Sequence, residues 1–315
     1  MIDLYELLKK RINDKPYITK SKRIFYNEMK EAFQELILHG LSENNFFENN
    51  VFHGGTSIRI IYGSERYSED LDFNMKKNDP DFSWMPIFEK LKEYTQKLGF
   101  ILMLNEEDST DNGYIKRLTI NGKNMIDVIH NKGIVSNSLT KNSQRQNIEI
   151  RLETSFHNGR FNTEIKTLSF PTEYNVEVFN IHCLFAGKLN AVLTRFRNKK
   201  LKDKETGEII GEEKVYENKG RDWYDLIWYI KKGIEPDWRF LKEKLKDKGY
   251  WEGQEIDVDT NWLKEQIRLK METLDYDSMN KELAKFLIED DNFVLNKDII
   301  EEYVNTMGKD RYQVN

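Results

Sequence analysis

The chain has a single cysteine, Cys183, in 315 residues. An intramolecular disulfide is therefore impossible, as expected of a protein kept in a reducing compartment. It has no run approaching 18 consecutive apolar residues, which argues against a membrane span. The opening "MIDLYELLKKRINDK" lacks the apolar core of a signal peptide. These three absences together point to the cytoplasm. No internal repeat is present, and no low-complexity segment beyond short charged loops. Excess positive charge is missing too: the net charge is -5. That argues against non-specific coating of nucleic acid, although a local basic patch could still bind RNA or DNA.

What is present fits a folded, soluble protein. Hydrophobic residues make up 38% and charged residues 33%, so the chain can build a core. Residues 3–12 and 21–39 carry helical spacing; Ile24, Phe25, Met29, Phe33, Leu36 and Ile37 form one stripe. "NNVFH" reads as a short strand. "TSIRIIYG" reads as a short helix, with Thr56 near its N-cap and Gly63 at its end. "DLDFNM" alternates as a half-buried strand does. Asp79-Pro80 precedes a helix over roughly 83–98. Residues 100–170 are β-rich, with strands expected in "FILMLN", "YIKRLTIN", "NMIDVIH", "NIEIRLETSF" and "RFNTEIKTLSF". From about 181 the pattern turns helical. The fold class expected is α+β, with a mixed sheet and flanking helices over residues 1–176 and an all-helical part over 177–315. Between the middle helices, "RNKKLKDKETGEIIGEEKVYENKG" reads as an exposed hairpin or loop.

The stretch "HGGTSIRIIYGSERYSEDLDF" concentrates the chemistry. In a strand, Asp70 and Asp72 project to one side while Leu71 and Phe73 enter the core. Two parallel carboxylates repel unless a cation lies between them, and Mg²⁺ suits one or two carboxylates plus substrate phosphates. Two solvated aspartates are the plainer alternative. A glycine turn at a helix start, Gly54-Gly55-Thr56, offers backbone N–H groups to an anion. An ordinary tight turn is again the alternative. Asp127, in an otherwise apolar "NMIDVIH", needs a partner or water. If its strand lay beside Asp70 and Asp72, three carboxylates would converge on metal.

These residues resemble the AbiEii/AbiGii-type nucleotidyltransferases, toxins of type IV toxin–antitoxin systems in the polymerase-β-like superfamily. The resemblance extends through Arg66 and Ser68, and through "AGKLNAVLTR" and "GRDWYDL", over roughly residues 20–235. It implies transfer of a nucleoside monophosphate from an NTP to an acceptor hydroxyl, with release of pyrophosphate. Asp70, Asp72 and Asp127 would hold Mg²⁺ or Mn²⁺. Gly54, Gly55, Thr56, Arg66, Lys188 and Arg195 would contact the nucleotide. By spacing alone Lys188 is an ordinary surface lysine and Asp222 a helix cap; the resemblance makes both catalytic. It also implies an RNA acceptor, the tRNA 3′ end, a role in phage defence, and a cognate antitoxin that need not touch the toxin. The helical part would complete the active site. Lys199, Lys200, Lys202 and Lys204, with Arg195 and Arg197, are the densest cationic stretch and could meet a phosphate backbone. Two rival functions remain: a nucleotidyltransferase acting on a small molecule, and a catalytically silent RNA- or protein-binding module.

Overall fold

The computed structural model describes residues 3–110, 115–123, 125–127, 148–157, 159–202, 206, 209–247, 250–288 and 293–308. The chain divides into two compact units. The first comprises residues 1–158 and 162–180, the second 159–161 and 181–315.

In the first unit, helix α1 (Leu4–Asp14) starts where the Asp3 carboxylate accepts from the Tyr5 amide. Helix α2 (Lys22–Glu43) starts at Ser21, whose hydroxyl accepts from Ile24 N at 3.2 Å. Both are side-chain caps of the expected kind. The stripe read from the sequence in α2 is buried. Strand β1 (Asn50–His53) runs into helix α3 (Gly54–Tyr62), and strand β2 (Leu71–Met75) returns antiparallel to β1. Helix α4 (Met85–Lys97) leads to β3 (Ile101–Thr110) and β4 (Ile115–Lys123). Then come β5 (Ile148–Phe156), β6 (Thr163–Leu168) and β7 (Tyr174–Phe179). The seven strands form one mixed sheet in the order β3-β4-β5-β2-β1-β7-β6. The β2–β5 and β1–β7 pairs are parallel. Phe46, Phe47, Phe52, Phe73 and Trp84 pack as an aromatic core on one side of β1 and β2.

Two expectations change here. Within "NMIDVIH", expected as a strand, residues 125–127 are helical; the rest of the segment lies outside the described residues. "YNVEVF" was not singled out as a strand, yet it forms β7, which spans the boundary expected at 176/177.

A buried charge network anchors α1. The Arg11 guanidinium donates to Glu28 (3.1 Å), Glu31 (2.8 Å) and Glu35 (2.6 Å), all on α2. Lys15, Tyr17 and Tyr67 also donate to Glu28. Arg59 of α3 donates to Glu31 at 2.5 Å and to the Ser64 carbonyl at 2.7 Å. Burial disfavours charged Arg11, but the three carboxylates outweigh it and raise its pKa.

The second unit holds α5 (Ile181–Thr194), α6 (Gly220–Lys232), α7 (Trp238–Asp247), α8 (Thr260–Met271), α9 (Tyr276–Leu283) and α10 (Lys297–Thr306). Phe185 of α5 stacks on Tyr229 of α6 at 4.4 Å. Leu263, Ile267 and Met271 of α8 and Met279 and Leu283 of α9 are buried, as their spacing predicts. The unit is not wholly helical: β8 (Phe196–Lys202) and β9 (Ile209–Tyr216) form an antiparallel hairpin. Among the described residues, no helix is long and apolar enough to cross a membrane.

Candidate active site

The site begins where β1 becomes α3. Gly54 has φ +81°, a conformation that side chains with a Cβ rarely adopt. A Cβ there would overlap the Asp72 carboxylate, standing 2.8 Å from its Cγ. A Cβ on Gly55 would stand 2.9 Å from both the Arg66 guanidinium and the Ser68 hydroxyl. Both glycines are therefore fixed by close approach. Helix α3 begins at Gly54, not at Thr56. Its N-cap, His53, makes no side-chain cap bond. Thr56 instead donates its hydroxyl to the Asp70 carbonyl, and Ser57 donates to the Gly54 carbonyl at 2.8 Å. The turn is stitched to the segment ahead of β2, while the helix start lacks a side-chain cap. Such an end suits an anion. Arg66 is 2% exposed and donates to the Tyr67 carbonyl at 2.8 Å. It braces the turn from within.

Asp70 and Asp72 flank buried Leu71, and Phe73 beyond is buried too. The alternation read from the sequence holds. Asp72 lies opposite His53 on β1 and beside Glu153 on β5. Burial pushes the Asp70 carboxyl above its ordinary value, against the pull of Lys30 and Arg151. Among the described residues, Asp70's carboxylate has no hydrogen-bond or ion-pair partner. Glu153 is ion-paired with Arg117 on β4. The neighbours of β2 are thus β1 and β5, not a strand bearing Asp127. Asp70, Asp72 and Asp127 do not gather: among the described residues, no three His, Cys, Asp or Glu side chains could hold a metal ion together.

The remaining donor set still fits a hard divalent cation. Asp72 fills the space that a side chain on Gly54 would need, and Asp70 is desolvated, with Lys30 and Arg151 pulling against that effect. Two carboxylates with phosphate oxygens match the usual Mg²⁺ pattern.

In the second unit, Lys188 and Arg195 lie two turns apart and reach the same acid. Lys188 Nζ donates to Asp222 Oδ1 at 2.8 Å. Arg195 Nε lies 3.0 Å from Asp222 Oδ2 as a charge contact without hydrogen-bond alignment. Lys188 Nζ also lies 2.8 Å from Asp225 Oδ2, a residue that is 0% exposed. Asp222 therefore binds cations rather than serving as the N-cap, which is Lys219. The local sequence explains the placement. A Cβ on Gly220 would overlap the Met279 carbonyl, so only glycine lets α6 start so close to α9. Arg221 pairs with Glu282 at 2.7 Å and lies over the Phe286 ring. Asp222 and Asp225, three apart, then share the face toward Lys188. In the hairpin, Lys199 lies opposite Glu213 and Lys200 opposite Glu212. Lys204 lies outside the described residues.

Three residues beside these were not singled out from sequence. Glu153 was detectable as a polar position of the alternating "IEIRLETSF". Asp225 lies within "GRDWYDL", where nothing local marks it off from any other acid near a helix start. His53, stacked on Phe179 at 5.2 Å, gave no signal.

The model of a family described as "Nucleotidyl transferase AbiEii toxin, Type IV TA system" matches residues 36–297. No curated protein matches. Among solved structures, JHP933 from Helicobacter pylori is similar, with 17% identity, 88% of each chain covered and a TM-score of 0.42. MenT4, a nucleotidyltransferase toxin from Mycobacterium tuberculosis H37Rv, has 14% identity and a TM-score of 0.44, covering 92% of this chain and 96% of its own.

Proposed function

The chain belongs to the AbiEii nucleotidyltransferase toxin family of type IV toxin–antitoxin systems, and from that premise we propose that it moves a nucleoside monophosphate from an NTP to an RNA hydroxyl, the tRNA 3′ end. The observation that carries this reading is the packing of Gly54 against Asp72. It puts an uncapped helix start beside a carboxylate of the Asp-Leu-Asp segment, the pairing that a polyphosphate and its metal require.

The residues take these roles. Backbone N–H groups at Gly55 and Thr56 bind phosphate oxygens of the NTP tail. Asp70 and Asp72 hold Mg²⁺, or Mn²⁺. A bound divalent ion supplies neutralisation of phosphate charge and a more acidic acceptor hydroxyl. Lys188 takes the phosphate-binding role that the family resemblance gives it, and is held by Asp222 and Asp225. Arg195 steadies Asp222, and Arg66 holds the turn in shape. Alignment and charge neutralisation provide most of the rate in such transfers. Asp127 has no part in this scheme, because the structure does not gather it with the other two acids. Modified tRNA would halt translation, consistent with growth arrest during phage infection and with release by a cognate antitoxin.

The test is direct. The protein is incubated with Mg²⁺, each α-labelled NTP and total RNA, and the labelled RNA is identified. Label on tRNA, lost with chelator and with Asp72→Asn, is the expected result. Label on a small molecule instead would favour the small-acceptor reading. Failure to bind any NTP in calorimetry would leave only a binding module.

A further inference from the structure

Strand β2 has a different neighbour on each edge. On one side lies β1, which runs into the Gly54 turn beside Asp72. On the other lies β5, parallel to β2, with Glu153 level with Asp72. Alternate residues of a strand share a face, so Arg151 and Glu153 stand on the same face of β5. Glu153 is already held by Arg117. Arg151 is exposed, and among the described residues no hydrogen bond or ion pair holds its guanidinium. It is close enough to pull on the Asp70 carboxyl. Its planar, permanently charged fork matches the oxygens of a phosphate.

The chemistry decides which phosphate. In transfer, the acceptor oxygen bonds to the α-phosphorus of the NTP while the bond to the pyrophosphate oxygen breaks. Pyrophosphate takes the electron pair, and the hydroxyl proton passes to water. Attacking and leaving oxygens stand roughly in line through phosphorus. A polyphosphate at the Gly54 turn puts the leaving group on the β1 side of β2. The attacking hydroxyl then comes from the β5 side, where Arg151 stands. We propose that Arg151 is an acceptor-binding residue: its guanidinium grips the phosphodiester just before the terminal nucleoside of the RNA. This rests on the reading of the Gly54 turn as the polyphosphate site and of RNA as the acceptor. It adds a place for that acceptor, and a charge contact that a small acceptor without phosphate would not use.

The experiment compares the full chain with its Arg151→Gln variant, using Mg²⁺, labelled NTP and two tRNAs. One tRNA is native; the other carries a neutral methylphosphonate as its last linkage. Arg151→Gln is expected to raise KM for native tRNA about tenfold, as for one lost charge-assisted contact. It should also flatten the log–log salt dependence of kcat/KM by about 0.7, the share of one single-strand phosphate. The Mg²⁺–NTP dissociation constant and the melting temperature should stay at parental values. The neutral linkage should cost the parent the same factor and cost the variant nothing more. A parental KM for tRNA in Arg151→Gln overturns the proposal. So does weaker NTP binding with an unchanged KM for tRNA, which would put Arg151 on the nucleotide side. Losses that simply multiply between variant and neutral linkage overturn it too. If the parent labels no tRNA, the functional reading fails, and the inference with it. Should Arg151→Gln melt lower, Arg151→Lys serves: it keeps the charge but not the fork, and a raised KM with the parental salt slope is expected. A parental KM in that variant also overturns the proposal.

Discussion

Gly54 and Asp72 occupy adjoining space: the carboxylate of one fills the volume that a side chain on the other would need. Gly54→Ala should therefore do two kinds of damage. The left-handed backbone costs about 1–2 kcal/mol for a residue with a Cβ, and Asp72 must also move. Gly63 is the matched control, with φ +73° and nothing within 4 Å of an added Cβ. Gly63→Ala should lower stability by a similar backbone cost and leave transfer intact. Gly54→Ala should lose Mg²⁺-dependent NTP binding as well. Denaturation and calorimetry on both variants check this; equal NTP binding would contradict it.

Asp70 predicts a pH effect with a definite sign. Burial raises its carboxyl above the ordinary value, so the fold favours the neutral form. Ionisation thus costs stability, a cost present above the raised pKa and relieved as pH falls through it. Asp70→Asn should melt slightly higher than the parent at pH 7, and the gain should vanish in acid. Transfer should fall on the order of a thousandfold, as for loss of a key electrostatic group. A lower melting temperature at pH 7 would refute the assignment.

Arg11→Met should leave three carboxylates of α2 without their shared cation. Breaking buried pairs in this way costs about 3–5 kcal/mol. Glu35 already lies above its ordinary pKa, chiefly through burial, and Arg11 works against that rise. Without Arg11 the rise should grow, so the fold of the variant should favour protonated Glu35 still more. Its deficit should be largest at neutral pH and shrink as pH falls. Urea denaturation at about pH 7.5 and about pH 5.5 measures this; a pH-independent deficit would refute it.

The hairpin separates acceptor classes. Its register sets Glu213 and Glu212 opposite Lys199 and Lys200. Reversing Lys199, Lys200 and Lys202 to Glu should cut transfer to RNA about tenfold or more and flatten its salt dependence. NTP binding should not change. Undiminished transfer would favour the small acceptor.

Local periodicity explains what the sequence made legible. Asp70-Leu71-Asp72-Phe73 declares its two faces within four residues, and the structure buries Leu71 and Phe73 accordingly. The α+β character and the flanking helices follow from similar short-range patterns. Asp127 was misread because a short apolar run does not distinguish strand from helix. Glu153 went unnoticed because pairing of β2 with β5 joins segments separated by some 80 positions in sequence. No local pattern announces such a partner. The same holds for Lys188 and Asp225, which meet only after α5 and α6 pack.

The family match begins at residue 36, inside α2. Arg11, Lys15, Tyr17, Glu28, Glu31 and Glu35 all precede that point, yet Arg59 and Tyr67 within the match bond to these glutamates. A recombinant fragment trimmed to the shared region would strip Arg59 of its carboxylates and leave Tyr67 without its acceptor. Workers excising this enzyme by homology alone should expect an insoluble product, and the remedy is to retain the leader helix.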